Sequence, residues 1–528
     1  MKKIGCLSNN GAFKIDELEN VTNFEASEKI ANFFAHVSNQ YDPVDLCQLP
    51  SYLPSPKPPQ VSEAEVYKTL KKLKNTKSCH PLDLPSKLRR EYDIFLVAPL
   101  TDIINTCLNE QIFPDIWKIE YVSPLAKVNS PTEFKQLRKI VSTSDYSKLY
   151  ENILKEFILR DAERNFDSRQ FGARKGVGTE FLVITFVDRV LRLLESTKGK
   201  SAVLAAAADW VSAFDKIDPT SLSLKLIQVG IRPAIIPILI SYISNRKIKV
   251  KFNNSVSSEK DLIGGTPQGT ILSGIVYNIS SIDCAVEEVT TEDRFWHFDD
   301  LNTIELIILN DLLAQYEVFD HVPSDVATDE LYLKPETYKT QGYLDAISKW
   351  TVENKMLLNE QKSNFIIFSR CKDKFTTRLK LNNIPISKLS TVRILGVWLQ
   401  EDLGWEENTK QICVKAYSRI SILSKLKYAG IEIEDLITIY ILFIRSLTEY
   451  CSVVFNTSLT QKQSKKIETI QSTSLKIILD VNYVSYNSAL EMTGLDKLST
   501  RRDKRQLNFA KKCTKNEFTS YMFPKNPP

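Results

Sequence analysis

Three carboxylates offer the first chemistry in this chain. Residues Ala202 to Ala208 are small or apolar and run straight into Asp209. Such a run reads as a buried strand that delivers one charge at its edge, and a buried carboxylate is costly unless it is paired or metal-bound. Four consecutive alanines are poor strand formers, so a helix competes here. Taken alone, a structural aspartate at a strand end is the better reading. Ninety residues later comes Phe295-Trp296-His297-Phe298-Asp299-Asp300-Leu301. The apolar residues after it (Leu301, Ile304, Leu306 to Leu309) indicate a hairpin carrying the acidic pair near its turn. Adjacent carboxylates repel unless a cation lies between them. A lone Asp-Asp pair is usually a solvated turn, but two strands that each present Asp at one end could together hold two magnesium ions, hard cations that take oxygen ligands. Ions about 4 Å apart clamp the attacking and leaving oxygens of a phosphoryl displacement.

A third element is Gly264-Gly265-Thr266-Pro267-Gln268-Gly269-Thr270, a stiffened glycine turn opening into a helix. Its glycines allow close approach of a backbone or a base. It is neither a Walker A loop nor a dinucleotide fingerprint.

The elements that must position these groups follow from periodicity. A helical leader surrounds Ala26 to His36. A proline cluster (Pro50, Pro54, Pro56, Pro58, Pro59) reads as an extended linker. Ser62 and Glu65 form a capping box that opens a helix, and a second helix is expected from about Arg90 to Glu110. Tyr121 to Ile140 is strand-like, with Lys127 and Arg138 on either side of a polar turn at Asn129 to Thr132. Helices follow to Arg164 and from Thr179 to Glu195. Residues 344–354 read as a helix, 364–369 as a strand and 393–399 as another. Arg246 to Phe252 alternates lysine with apolar residues, placing Lys247, Lys249 and Lys251 on one strand face. Beyond Glu406 the chain reads as three or four amphipathic helices and a basic tail. Strands in the middle and helices at both ends make the expected class α+β.

Composition bounds the rest. The 528 residues are 43% hydrophobic and 25% charged, which excludes wholesale disorder. The net charge is +5, and the segment from Glu491 to the end alone carries +5. A basic tail permits a nucleic-acid partner without requiring one. Nine scattered cysteines contain no CxxC and make a poor disulfide framework. The four histidines are too far apart for zinc spacings. No apolar signal segment opens the chain, and the strongest apolar helix candidate, Leu436 to Ile444, is about half of a bilayer crossing. The expectation is an intracellular protein with reduced thiols and no membrane partner.

DWVSAFDKID (209–218), GGTPQGTILSG (264–274) and FDDL (298–301), in this order, resemble the palm motifs of reverse transcriptases, those of non-LTR, LINE-like retrotransposons above all. The resemblance extends to LDLPSKL (82–88), FPDIWKIEYVSPLAK (113–127), LRKIVSTSDYSKLYENIL (137–154), QFGARKGVGTE (170–180), KWTVENKMLLNEQKSNFIIFS (349–369) and RILGVWL (393–399). It implies a right-hand polymerase fold with fingers, palm and helical thumb: a leader and Pro-rich linker over 1–60, fingers and upper palm over 61–200, palm over 201–400, and thumb with a basic tail over 401–528. It implies an RNA-directed DNA polymerase extending a primer 3′-hydroxyl by two-metal phosphoryl transfer.

By the same resemblance, Asp209, Asp299 and Asp300 are the catalytic and metal-binding residues, holding two Mg²⁺ ions with Mn²⁺ as a substitute. Phe214 falls at the position of a bulky gate against the 2′-hydroxyl. Lys127 and Arg138 match contacts to the incoming triphosphate, and Gln268 and Gly269 match the loop beside template base and nucleotide. Lys362 is a candidate proton donor to pyrophosphate. For each basic residue the plain alternative is a solvated side chain. The C-terminal cluster (Arg501, Arg502, Lys504, Arg505, Lys511, Lys512) is expected to extend the thumb's contact with duplex. The implied partners are an RNA template, a DNA primer or target, and dNTPs.

Three features depart from the family. Phe298 is bulky where a small or β-branched residue is usual, which predicts either hindrance at the primer terminus or a shifted strand. Lys139 stands where proline is common. No apurinic-type endonuclease precedes the motifs and no Cys/His knuckle follows, so a fragment, a truncated copy, or a polymerase served by a separate endonuclease are all open. The rival functional readings are a decayed nucleic-acid-binding remnant and an intron-maturase-like RNA-binding protein. Target-primed copying implies the nucleus, with the cytoplasm as alternative; RRDKR (501–505) is a weak import signal.

Overall fold

The computed structural model describes residues 13–44, 57–75, 80–197, 201–284, 293–308, 330–333, 338–370, 374–516 and 519–522. The expectations at Met1 to Asn10, Pro50, Pro54, Pro56, Cys6, Cys47, Cys79, Cys371 and His321 lie outside the described residues. The chain divides into two compact units: Met1–Asp167 with Trp210–Val286 and Ile347–Leu358, and Ser168–Asp209 with Glu287–Ala346 and Asn359–Pro528. Both mix helices with sheets, the α+β class expected from the sequence.

In the first unit, β1 (Ile119–Ala126) and β2 (Leu137–Ser142) form an antiparallel hairpin with Leu125 opposite Arg138. It is the hairpin expected around the polar turn. β1 also pairs in parallel with β4 (Arg246–Phe252), which carries β5 (Ser255–Val256) and β6 (Lys260–Leu262). The lysine alternation in β4 has its expected consequence: Ile248 and Val250 point into a core shared with Ile30 and Phe34 of helix Asn23–Ser38 and with Val122 and Leu137. Helix Glu63–Lys72 opens on the Ser62–Glu65 capping box read from the sequence, and Thr22–Glu25 caps Asn23–Ser38 in the same way.

The second unit is organised on β3 (Ser201–Ala208). Its sheet runs β14 (Ser387–Lys388), β10 (Asn364–Ser369), β3, β8 (Asp300–Ile308), β7 (Arg294–His297). The alanine run is therefore a central strand, not a helix. β8 and β10 take its hydrogen bonds on both edges, and nearly every residue in it is buried. Strand propensity gives way to fit, because only small side chains let both faces be covered closely. Helix Thr179–Ser196 covers one face, with Phe181, Phe186 and Val190 joining Val203, Phe295, Ile366 and Phe368 in one core.

The single strand expected over 393–399 is two, β15 (Thr391–Ile394) and β16 (Val397–Gln400), closed by Leu395 and Gly396 at φ 44° and 94°. A two-residue hairpin with both central φ positive normally uses Asn-Gly; leucine there hides the turn from a sequence reading. Two further pairs, β9 (Glu330–Leu333) with β11 (Lys374–Thr377) and β12 (Lys380–Leu381) with β13 (Ile384–Pro385), complete the strands described. Helices Glu406–Tyr428, Gln461–Leu479 and Leu498–Cys513 lead the C-terminal bundle. The basic tail is largely this last helix, and most of its cluster is used internally. Arg501 pairs with Glu449, Lys504 with Asp496 and Arg505 with Glu180, while Arg502 is buried against Asn456 and Ser464. Lys504 is nevertheless exposed, and with Lys511 and Lys512 it makes up the exposed part of the expected basic surface.

Candidate active site

β3 ends where its small residues end, and Asp209 follows at the strand's edge. The Asp209 backbone is tied on both sides. Its N–H donates to Ser363 Oγ at 3.0 Å, and Asn359 N–H donates to the Asp209 carbonyl at 2.8 Å. Ser363 in turn donates to the Asn359 carbonyl at 2.8 Å. The segment before β10 thus fixes the first carboxylate, a role the sequence reading gave to none of its residues. Lys362, the one candidate named there, has its Nζ 3.7 Å from Asp209 Oδ2 and is largely exposed.

β8 brings the second carboxylate to the same place. Ala208 stands opposite Leu301, so Asp300 begins β8 beside the end of β3. Asp209 and Asp300 line one cleft of about 340 Å³ with Asn302, Lys362, Asn364 and Arg393. Asp300 keeps solvent access, yet the cleft walls remove much of the water around it. That desolvation, then the charges of Asp299 and Asp209, pushes its carboxyl up to about 6, with Arg393 pulling it down. Among the described residues no three carboxylates, histidines or cysteines enclose a cation by themselves. The donor chemistry nonetheless fits magnesium, which ordinarily takes one or two carboxylates and completes its shell with water and substrate phosphates.

The acidic pair sits as expected at the β7–β8 hairpin, with Phe298 and Asp299 as the two turn residues between the paired His297 and Asp300. Phe298 takes φ 57°.

The nucleotide-binding candidates belong to the other unit. Lys127 and Arg138 share the solvent face of the β1–β2 hairpin, and Lys127 Nζ donates to the Lys135 carbonyl at 2.9 Å. Phe214 stacks on Tyr277 of helix Ser273–Ser280, with ring centroids 4.9 Å apart. The glycine loop grips the same segment: Gly265 N–H donates to Ile217 O at 2.9 Å and Thr266 N–H to Phe214 O at 2.8 Å. Gly265 has φ 81°, and a Cβ there would meet the Asp215 backbone at 2.8 Å, so only glycine permits this approach. Gly269, at φ 91°, and the half-exposed Gln268 occupy the open middle of the loop. The buried Lys139 reaches the partly exposed Asp215 in an ion pair of 2.5 Å, a contact that proline could not make.

Two buried charges that the sequence reading passed over hold the loop's ends. Arg246 pairs with Glu120 and donates to the carbonyls of Gly264 and Gly265 at 3.3 and 2.7 Å. Glu151 accepts from the Ile271 and Leu272 N–H groups at 2.9 and 3.0 Å, and burial raises its carboxyl above the usual range. Arg246 was legible in principle, because it shares the inward register of Ile248 and Val250. Arg393 and Glu151 carry no such local mark. Lys247 and Lys249 both pair with Glu259, leaving Lys251 as the exposed lysine of that strand face.

Residues 127–302 match the family described as reverse transcriptase (RNA-dependent DNA polymerase). That span runs from the β1–β2 hairpin through the acidic pair, and it is a reverse transcriptase domain. The relatives that the chain matches over a longer span are RNA-directed DNA polymerases of transposons. The chain is 23% identical over 402 residues to a probable RNA-directed DNA polymerase from transposon X-element of Drosophila melanogaster, covering 74% of this chain and 41% of that protein. It is 22% identical over 460 residues to the probable polymerase of transposon BS, covering 85% and 48%. It is 23% identical over 418 residues to that of mobile element jockey, covering 77% and 43%; both are from the same fly. The chain thus spans less than half the length of these curated relatives. Among solved structures, a C-terminally truncated apo telomerase from Candida tropicalis aligns over 62% of each chain at 13% identity, with a TM-score of 0.35 that is too low to carry a fold argument.

Proposed function

We propose that this chain is an RNA-directed DNA polymerase that extends a DNA primer 3′-hydroxyl with dNTPs on an RNA template. The observation that carries this reading is the convergence of Asp209 and Asp300 on one cleft with Lys362 and Arg393, inside a domain of the reverse transcriptase family. Two Mg²⁺ ions, or Mn²⁺ in their place, bound to Asp209, Asp299 and Asp300 would activate the primer hydroxyl and neutralise the leaving pyrophosphate. The Asn359–Ser363 segment holds Asp209 by its backbone, so its carboxylate is free to face the reacting phosphate. Lys362 and Arg393 add positive charge where the transferred phosphoryl group would develop negative charge. Lys127 and Arg138 reach the triphosphate from their hairpin, and Gln268 and Gly269 face template base and nucleotide. In this reading residues 61–200 supply fingers and upper palm, 201–400 the palm and 401–528 the thumb. A separate endonuclease supplies the nick, and copying takes place at the nuclear target.

The test is primer extension on an RNA template with dNTPs and Mg²⁺ or Mn²⁺, beside Asp299→Ala. The variant is expected to lose at least about 10³-fold in rate while still binding an RNA–DNA hybrid. Retained extension in the variant removes the site assignment. A wild-type protein that binds hybrid without extending it removes the activity and leaves a binding remnant.

Phe214 gives a second expectation. Its ring, braced by Tyr277, would collide with a ribose 2′-hydroxyl. Phe214→Ala should weaken discrimination against ribonucleotides by roughly 10–200-fold, the range typical of a single steric contact. Competition between dCTP and rCTP for one template position measures it; an unchanged ratio would show that the gate lies elsewhere.

A further inference from the structure

The residue before the acidic pair is a bulky phenylalanine, and its surroundings explain how it is housed. Phe298 is the first of two residues in the β7–β8 turn, at φ 57°. That position normally favours glycine, and a phenylalanine there is strained unless its side chain is held. Two things hold it. The Phe298 ring lies over Gly172, where an added Cβ would stand 2.9 Å from Phe298 Cδ1 and 3.0 Å from Cε1. Gln170, itself buried, accepts the Phe298 N–H at 3.0 Å and the Gly172 N–H at 2.9 Å with the same Oε1. One side-chain oxygen therefore staples the catalytic turn to the glycine beneath its ring.

The staple is anchored in backbone. Phe171 N–H donates to Trp296 O at 2.8 Å, and Trp296 N–H donates to Arg169 O at 3.0 Å, so residues 169–171 run as a short extra edge along β7. His297 packs edge-on against the Phe298 ring at 5.0 Å. The ring is absent from the lining of the cleft that holds Asp209 and Asp300. Of the two expectations for this residue, hindrance at the primer terminus or a shifted strand, the first would put the ring in that cleft; the ring lies instead on Gly172.

We propose that Gly172 is the seat of the Phe298 ring, and that Gly172 and Gln170 are positioning residues that fix the turn presenting Asp299 and Asp300. The catalytic part of this inference rests on the polymerase reading above. Bulk at position 298 is then compatible with turnover only while position 172 is glycine.

A double-mutant cycle tests it in the full chain, with Gly172→Ala, Phe298→Ala and both together. An alanine methyl at 172 drives the ring off its seat. Gly172→Ala is expected to lower kcat by roughly 10–100-fold, the effect of moving a reacting group by about 1 Å, with KM for primer–template little changed. Phe298→Ala empties the seat but leaves the Gln170 bond to the turn, and should lower kcat less than Gly172→Ala does. The double variant should lie close to Phe298→Ala, because no ring remains to be displaced and only the methyl's 3.0 Å contact with Gln170 Oε1 is left. Phe298→Val should be worse than Phe298→Ala, since a β-branched residue tolerates positive φ least.

Thermal unfolding of the same four proteins reads the seat without reference to catalysis. Gly172→Ala should lower Tm by about 2–4 °C, and most of that loss should be absent in the Phe298→Ala background, where only the contact with Gln170 Oε1 remains. Additive effects on both kcat and Tm overturn the proposal. Coupling in Tm with an unchanged kcat overturns the positioning role and leaves a packing contact. A wild type that fails to extend any primer, yet shows coupled Tm values, sinks the polymerase reading while the seat itself stands.

Discussion

Asp209→Asn is expected to abolish measurable extension while leaving the fold intact and the RNA–DNA hybrid bound. The substitution keeps the side chain's shape, and both backbone ties, to Ser363 and Asn359, involve main-chain atoms that it does not alter. What it removes is one of the charges crowding Asp300. The free protein should change little in stability as asparagine, because the relieved repulsion at Asp300 is set against the lost pairing with the exposed Lys362. Catalysis should fall by about 10³-fold or more, since a site of this kind accelerates phosphoryl transfer chiefly by stabilising the charge that develops on the transferring group. Single-nucleotide incorporation and a thermal melt on the same preparation separate the two effects. A variant that melts earlier and retains incorporation would mean that Asp209 is a structural strand-end carboxylate and nothing more.

The second large effect is on stability. Arg246 and Glu120 are each about 1% exposed and form an ion pair. Arg246→Met leaves Glu120 charged and buried without its partner and strips the Gly264 and Gly265 carbonyls of their donor. Breaking one side of a buried pair costs about 3–5 kcal/mol. Converting both partners, Glu120→Leu with Arg246→Met, should recover much of that loss, because well-packed apolar replacements of a buried pair are often neutral. Activity should not return with stability, since the carbonyls that Arg246 orients belong to the loop carrying Gln268 and Gly269. Urea unfolding with an extension assay on each protein decides it; a double variant as active as wild type would show that Arg246 serves stability alone.

Much of the site is legible in the sequence because its chemistry is local. The apolar run into Asp209, the aromatic-flanked acidic pair and the glycine loop each announce an element and a group within ten residues or so. Ser62 and Glu65 likewise declare their helix. What is not legible depends on partners distant in sequence. Leu395 gives no sign that it takes a left-handed turn, because Tyr450 OH, donating to its carbonyl at 2.6 Å, helps to hold it there. Arg501, Arg502 and Arg505 look like a nucleic-acid surface until Glu449, Asn456 and Glu180 claim them. Glu151 reads as one more acid on an amphipathic helix, and only the fold brings it to the Ile271 and Leu272 amides. Phe298 stands out in the sequence as unusual, but its meaning lies in Gly172, more than a hundred residues earlier.

The alanine run of β3 bears on the site as well as on the shape of the sheet. The strand is covered on both faces and paired on both edges. Enlarging any of the inward alanines overpacks the sheet by about 1–3 kcal/mol, and apart from glycine every residue that one base change can put in place of alanine is larger, charged or proline. Each such change would unsettle the strand that presents Asp209. Ala202 and Ala205 to Ala208 are therefore positions where fold and site fail together. Substitutions in this strand should cost both stability and extension, whereas substitutions on the exposed helices of the C-terminal bundle should cost little of either.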